Sequence, residues 1–214
     1  MNGPDALFDY VSGERFAALA DGERVRYCPV DNVEGYCAGL PPDVPPFTLI
    51  THNGDRPVTD AQWRARHPRF VRWFSSNAES DHVWPLPLGI ANSSWTHGDV
   101  AEMEAAVRDA SIVPDKLVLV PYYRDTHPLR RQVTDLFRGK PWATVHEQPL
   151  PFRDYLDALC SHKVVICPPG RGTDCHRQWE ALYCGAAPLI VREGADLSRL
   201  PITAAGYQAF WEAR

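Results

Sequence analysis

KVVICPPGRGTDCHRQWEALYCGAAPLIV, residues 163–191, is the stretch on which the fold turns. It opens on Val164-Val165-Ile166, a run of the kind that a fully buried strand carries. Pro168 to Thr173 reads as the turn at that strand's carboxyl end, and a helix is expected over Asp174–Cys184, with Thr173 or Asp174 as its N-cap. Gly185 stands where a helix closes in the left-handed conformation, and Ala187–Val191 returns as a strand. A strand, a glycine turn, a helix and a further strand make the βαβ unit of a parallel sheet.

Working back from this unit, the same rhythm repeats. Strands are expected at Lys116–Val120 and Trp142–Val145, with helices at Leu129–Phe137 and Phe152–Ser161. Pro128 and Pro151 suit the first helical position, and Gly139 suits the residue after a helix end. Further back, DVAEMEAAVRDA from Asp99 reads as a helix bridging two halves. Before it, three apolar runs each pass at once into polar loops: Phe47–Ile50 into Thr51–Asp55, Phe70–Phe74 into Ser75–Asn77, and Val83–Ile90 into Ala91–Ser93. A short helix capped by Thr59 lies between the first two, and residues 1–46 read as loosely organised apart from a helical stretch near Gly13–Ala20. The expected division is an α/β N-terminal half, residues 1–110, and a Rossmann-type half with a parallel sheet, residues 111–214.

The opening stretch also carries the densest chemistry. A helix start exposes unpaired N–H groups and a partial positive charge, which suits phosphate. Gly170 and Gly172 let a backbone approach an anion closely, and Arg171 and Arg177 can add charge-assisted bonds to a diphosphate. At about 100° per residue, Cys175, Trp179 and Leu182 share one face, expected to dock on the sheet. His176, Arg177, Glu180 and Tyr183 share the other, expected to look toward the loops. Glu180 lies about 6 Å along the axis from His176, a spacing at which a carboxylate can hold ribose hydroxyls while the helix start holds phosphate. The plainer alternative is a surface pair four residues apart, worth a few tenths of a kcal/mol.

The run from Tyr155 to Val191, with C-P-x-G-x-G-x-D-C-H-R-x-W-E-A-L-x-x-G at its centre, resembles the signature of exostosin-like glycosyltransferases and their bacterial and viral relatives. Phe47–Asp55 and Trp73–Ile90 are similar to upstream blocks of the same group. The resemblance implies a GT-B fold and a nucleotide-sugar donor held by Gly170, Arg171, Gly172, Thr173, Asp174, His176, Arg177 and Glu180. It also implies an acceptor site, with a catalytic base, in the Thr51–Asp55 loop. GT-B chains are usually considerably longer, so the N-terminal half is expected to be reduced, or the chain to be one part of a larger assembly.

Other side chains join as candidates. His52 or Asp55, following a strand, can take a proton from an acceptor hydroxyl, and Asn53 and Asn77 sit in acceptor-side loops. The alternative for HNGD is a turn doing backbone work only. Arg124 or Arg130, after the first strand of the second half, can face the donor phosphates. The four arginines between Arg64 and Arg72 read as a solvated face, and Trp63, Trp73, Trp84 and Trp142 as core. No Asp-x-Asp occurs, so no metal or other cofactor is expected, and donor phosphates would be stabilised by amides, helix dipole and arginines.

Composition excludes other classes. The chain has 214 residues, 44% hydrophobic and 23% charged, ordinary for a soluble globular protein with a real core. A net charge of −5 argues against general nucleic-acid binding. No apolar run approaches membrane-helix length, and the start lacks the marks of a signal or transit peptide. Six cysteines without a C-x-x-C pair read as buried thiols of a cytoplasmic protein, with a Cys28–Cys37 bridge as the alternative. The expected partners are a nucleotide-sugar donor and a glycan or other hydroxyl acceptor. A binding module without catalysis and, last, a phosphoesterase carrying metal on His52, Asp55, Asp81 and His82 remain as alternatives.

Overall fold

The computed structural model describes residues 10–110, 113–200 and 203–212. The described chain divides into two compact α/β units, one spanning Tyr10–Asn92 and the other starting at Ser93. The division precedes the expected one at 110 because the helix from Val100 packs within the second unit rather than bridging two halves.

The first unit holds four parallel strands in the order β1 (Val25–Pro29), β2 (Phe47–His52), β3 (Phe70–Ser75) and β4 (Trp84–Pro85). Each strand lies beside its predecessor, so the sheet grows in one direction. Three short helices accompany it: α1 (Gly13–Ala17), α2 (Val33–Ala38) and α3 (Asp60–Ala65). The helix expected near Gly13–Ala20 is present as α1, and the rest of the segment expected to be loose supplies a strand and a second helix. VRYCP lacks an apolar run, but as an edge strand it needs only one ladder, and Arg26 lays its guanidinium over the Phe47 ring at 4.5 Å. In α3, Thr59 is the N-cap as expected, and it closes a capping box with Gln62. The strand expected over Val83–Ile90 shrinks to two residues because Pro85 and Pro87 have no N–H to give a ladder. Trp84, expected in the core, is consequently 59% exposed at the sheet edge. The core gathers Phe47, Leu49, Trp73 and Cys28 from the strands with Val33, Val44 and Val58.

The second unit starts with α4 (Val100–Asp109), capped by Asp99, whose carboxylate accepts the Glu102 N–H at 3.0 Å. There follow β5 (Lys116–Val120), α5 (Pro128–Phe137), β6 (Ala143–Val145), α6 (Phe152–Ser161), β7 (His162–Cys167), α7 (His176–Tyr183), β8 (Ala187–Ile190) and α8 (Ala204–Glu212). All four strands are parallel, in the order β6-β5-β7-β8. Val118, Val120, Val164 and Ile166 bury against Leu129, Val133 and Phe137 of α5 and Tyr207 of α8. Leu119 and Val165, turned to the other face by strand alternation, are equally buried where α6 and α7 pack. Pro128 opens α5 as expected, whereas Pro151 is the N-cap of α6 rather than its first residue. Gly139 and Gly185 close α5 and α7 with φ of 74° and 79°.

All six cysteines are free thiols, so the Cys28–Cys37 bridge does not form. No described helix is long and apolar enough to cross a membrane.

Candidate functional site

Strand order points to the place. The chain steps from β5 outward to β6, then returns to the opposite side of β5 to lay down β7 and β8. The loops after β5 and β7 therefore diverge and leave a crevice at the carboxyl edge, where open α/β sheets take ligands. In the first unit the described strands show no such reversal. The crevice of the second unit is flanked by Pro121–His127 and Pro168–Cys175, the turn on which the sequence reading centred.

Tyr123 ties the two sides together. Its hydroxyl donates to the Ile166 carbonyl of β7 at 2.7 Å, and burial pushes its pKa well up, so the hydroxyl keeps its proton. Two guanidinium carbons lie over its ring, Arg177 at 4.6 Å and Arg130 at 5.8 Å from the centroid. Arg130 braces the turn: Nε donates to the Pro169 carbonyl at 2.8 Å and Nη1 to the Arg124 carbonyl at 3.1 Å. A methyl group on Gly170 would come within 2.6 Å of Arg130 Nη2, which is why glycine fits there. The side chain of Arg124 is exposed, and it is its carbonyl that the turn uses.

The start of α7 differs in detail from the sequence reading. Cys175, not Thr173 or Asp174, is the N-cap, and no side chain of that residue bonds the first amides. The helix has no acidic residue in its first turn, so its positive end is not neutralised from within that turn. Asp174 is turned aside: its carboxylate accepts from Trp179 Nε1 at 2.9 Å and from the Gln178 amide. Gly170 spends its N–H on the Gly172 carbonyl at 3.1 Å, so that amide holds the turn. Arg171 and Thr173 are exposed, and His176 meets the edge of the exposed Trp95 ring, 6.2 Å between centroids.

The faces of α7 are also rotated from expectation. Gln178, Glu180 and Ala181 are buried, whereas Leu182, expected against the sheet, is half-exposed. The reason is α6, which packs on α7 and offers a polar group where hydrophobicity alone would not place one. Tyr155 of α6 donates its hydroxyl to Glu180 Oε2 at 2.6 Å, so a carboxylate only 5% exposed is hydrogen-bonded inside the protein. Arg177 is half-buried, and among the described residues it forms no ion pair. Its Nε is buried without a partner, and Nη2 reaches the Tyr122 carbonyl only at 3.5 Å. Within one turn of helix the structure thus gathers a half-buried cation, a first turn without an acidic residue and a buried carboxylate.

A cleft of about 490 Å³ opens on the β6 side, lined among others by Tyr122, Tyr123, Arg130, Arg131 and His146. It borders the turn through Tyr123 and Arg130, but no residue from Gly170 to Glu180 lines it. Its Arg138 is already held by Glu147 and Asp135. Arg177 does not line this cleft.

In the first unit, His52 is fully buried. Its Nδ1 accepts the Asn53 N–H at 2.8 Å, Nε2 lies 3.0 Å from the Pro87 carbonyl, and the ring packs on Phe16. Asp55 is exposed on the same loop. Asn53 and Asn77 both adopt the left-handed conformation, φ 55° and 52°, and the buried Asn77 amide donates to the Gly54 carbonyl at 3.3 Å. His82 is stacked on Trp63. No three of the described His, Cys, Asp and Glu side chains are grouped as metal ligands.

Tyr123, Tyr155 and Trp95 were not singled out by sequence reasoning. Tyr155 and Tyr123 carry no local signal, since each acts on a residue more than twenty positions away. Comparison with protein-family models finds no match, and comparison with curated proteins finds none either.

Proposed function

We propose that the protein is a glycosyltransferase of GT-B type that binds a nucleotide-diphosphate sugar in its second unit and transfers the sugar to an acceptor hydroxyl. The observation that carries this reading is Arg177, a half-buried cation without an ion-pair partner among the described residues, with an orphaned Nε, at the switch point of a parallel sheet. A diphosphate supplies the counter-charge that this guanidinium lacks. In this reading the first amides of α7 and Arg177 take the phosphates, Arg171 closes over them from the exposed turn, and Glu180 receives ribose hydroxyls. The charge that develops on the departing diphosphate is met by the same fixed donors. Two α/β units with parallel sheets in one chain support a GT-B assignment, with the first unit reduced to four strands. Of the two acceptor-side bases, Asp55 is the one that retains access to solvent, and it takes the acceptor proton.

A panel of nucleoside diphosphates and their sugars in a thermal-shift titration tests the donor claim, since a bound ligand raises stability with the logarithm of its concentration over Kd. No shift for any member would remove it. The sealed environment of His52 favours, as a second reading, a nucleotide-binding module without transfer. Sugar-nucleotide turnover over a broad acceptor panel separates the two.

A further inference from the structure

Glu180 presents a problem of its own. A carboxylate with 5% exposure needs several donors, yet Tyr155 is the single hydrogen-bond partner it has among the described residues. That bond engages Oε2 and leaves Oε1 to accept from elsewhere. Arg177 does not pair with it, although the two lie on one helix three residues apart. Tyr155 belongs to α6, whose packing on the sheet is fixed by the fully buried Leu156 and Leu159. Its ring also lies beside Phe152 one turn back, 6.4 Å between centroids. The phenol is therefore presented to Glu180 by a rigid element outside the 168–185 segment.

We propose that Tyr155 is a positioning residue that fixes the Glu180 carboxylate for the two hydroxyls of a ribose, and so makes the site select ribonucleotides over 2′-deoxyribonucleotides. This rests on the donor-site reading above. With Oε2 occupied by the phenol proton, the carboxylate cannot rotate freely, and Oε1 is held in one orientation as acceptor. A ribose hydroxyl donates to Oε1, and a deoxyribose gives that oxygen one donor fewer. Burial first, and the Glu180 charge second, keep the Tyr155 pKa well above its ordinary value, so the phenol remains the donor throughout the usable pH range.

The test measures affinity of the full chain for UDP, GDP and their 2′-deoxy counterparts by calorimetry, in wild type, Tyr155→Phe, Glu180→Gln and the double variant. Wild type is expected to prefer the ribo form of whichever base it binds by about tenfold, one hydrogen bond to a charged group. Tyr155→Phe should reduce that preference at least threefold while changing affinity for the deoxy form less than twofold. In the double variant it should add nothing to the loss caused by Glu180→Gln. A Tyr155→Phe protein that keeps the full ribo preference, or weakens both forms equally, overturns the positioning role and leaves the donor site standing. Wild type that binds without ribo preference overturns the roles of both residues. Wild type that binds no nucleoside diphosphate overturns the donor site and this role with it. Thermal unfolding of Tyr155→Phe serves as control, because a purely structural hydroxyl would move stability and not the ratio.

Discussion

On the proposed donor-site reading, replacing Arg177 with methionine should abolish nucleotide binding at almost no cost in stability. The structure sets both magnitudes. In the unliganded chain the guanidinium contributes a cation–π contact at 4.6 Å, about 1 to 2 kcal/mol at a half-buried position. Against this stands the buried Nε without a partner, a desolvation penalty of about 1–3 kcal/mol. The 3.5 Å approach to the Tyr122 carbonyl is at the edge of hydrogen-bond geometry and adds little. Methionine keeps most of the aliphatic packing and removes both opposing contributions, so the net change lies within about 1 kcal/mol of zero, roughly 4 °C in Tm. Binding has no such compensation: charge-assisted bonds to a diphosphate contribute about 1.5–3 kcal/mol, so affinity should fall about tenfold to more than a hundredfold. Thermal unfolding of the free protein and calorimetric titration with nucleoside diphosphates read the two quantities separately. A variant that unfolds more than about 10 °C early with nucleotide affinity retained would show that Arg177 is a structural strut, and the assignment of an anion to this crevice would be refuted.

Four further outcomes follow. His52→Ala should lower stability by about 2–4 kcal/mol, since it empties a fully buried ring site and strips the Asn53 N–H of its acceptor. In the proposed transferase, Asp55→Asn should leave Tm in place and abolish transfer without weakening nucleotide binding; an active Asp55→Asn protein would remove that residue as base. Gly170→Ala forces Arg130 Nη2 from its place and so loosens its bond to the Pro169 carbonyl; about 1 kcal/mol of stability should go, with a larger loss in nucleotide affinity by titration. His162 gives a pH signature: burial, reinforced by Lys116 and His146 and opposed by the Ala158 carbonyl and Asp115, lowers its pKa to about 4. Above pH 6.5 both folded and unfolded states carry it neutral, so stability is flat. As pH falls from 6.5 toward 4 the unfolded chain takes up a proton that the folded one refuses, and about 3 kcal/mol is lost across that window. Urea unfolding from pH 4 to 8 should show this slope in wild type and a shallower one in His162→Gln; equal slopes would mean that the buried ring is not the origin.

By itself the sequence determined the alternation of the second unit and the position of its turn. KVVIC is apolar without a break because a parallel strand covered on both faces has no solvent side, and that pattern is local. Gly139 and Gly185, Thr59 as a helix cap, and Pro128 were legible for the same reason: each answers to backbone groups within a few residues. The first unit was less legible, since β1 is an edge strand without an apolar run and prolines cut β4 to two residues. Tertiary structure alone decided the strand order β6-β5-β7-β8, and with it the crevice, because register between strands far apart in the chain leaves no periodicity to read. It also decided the burial of Glu180. A helical wheel places a glutamate on the wet face from its own solvation preference, but a phenol arriving from α6 changes what that face meets.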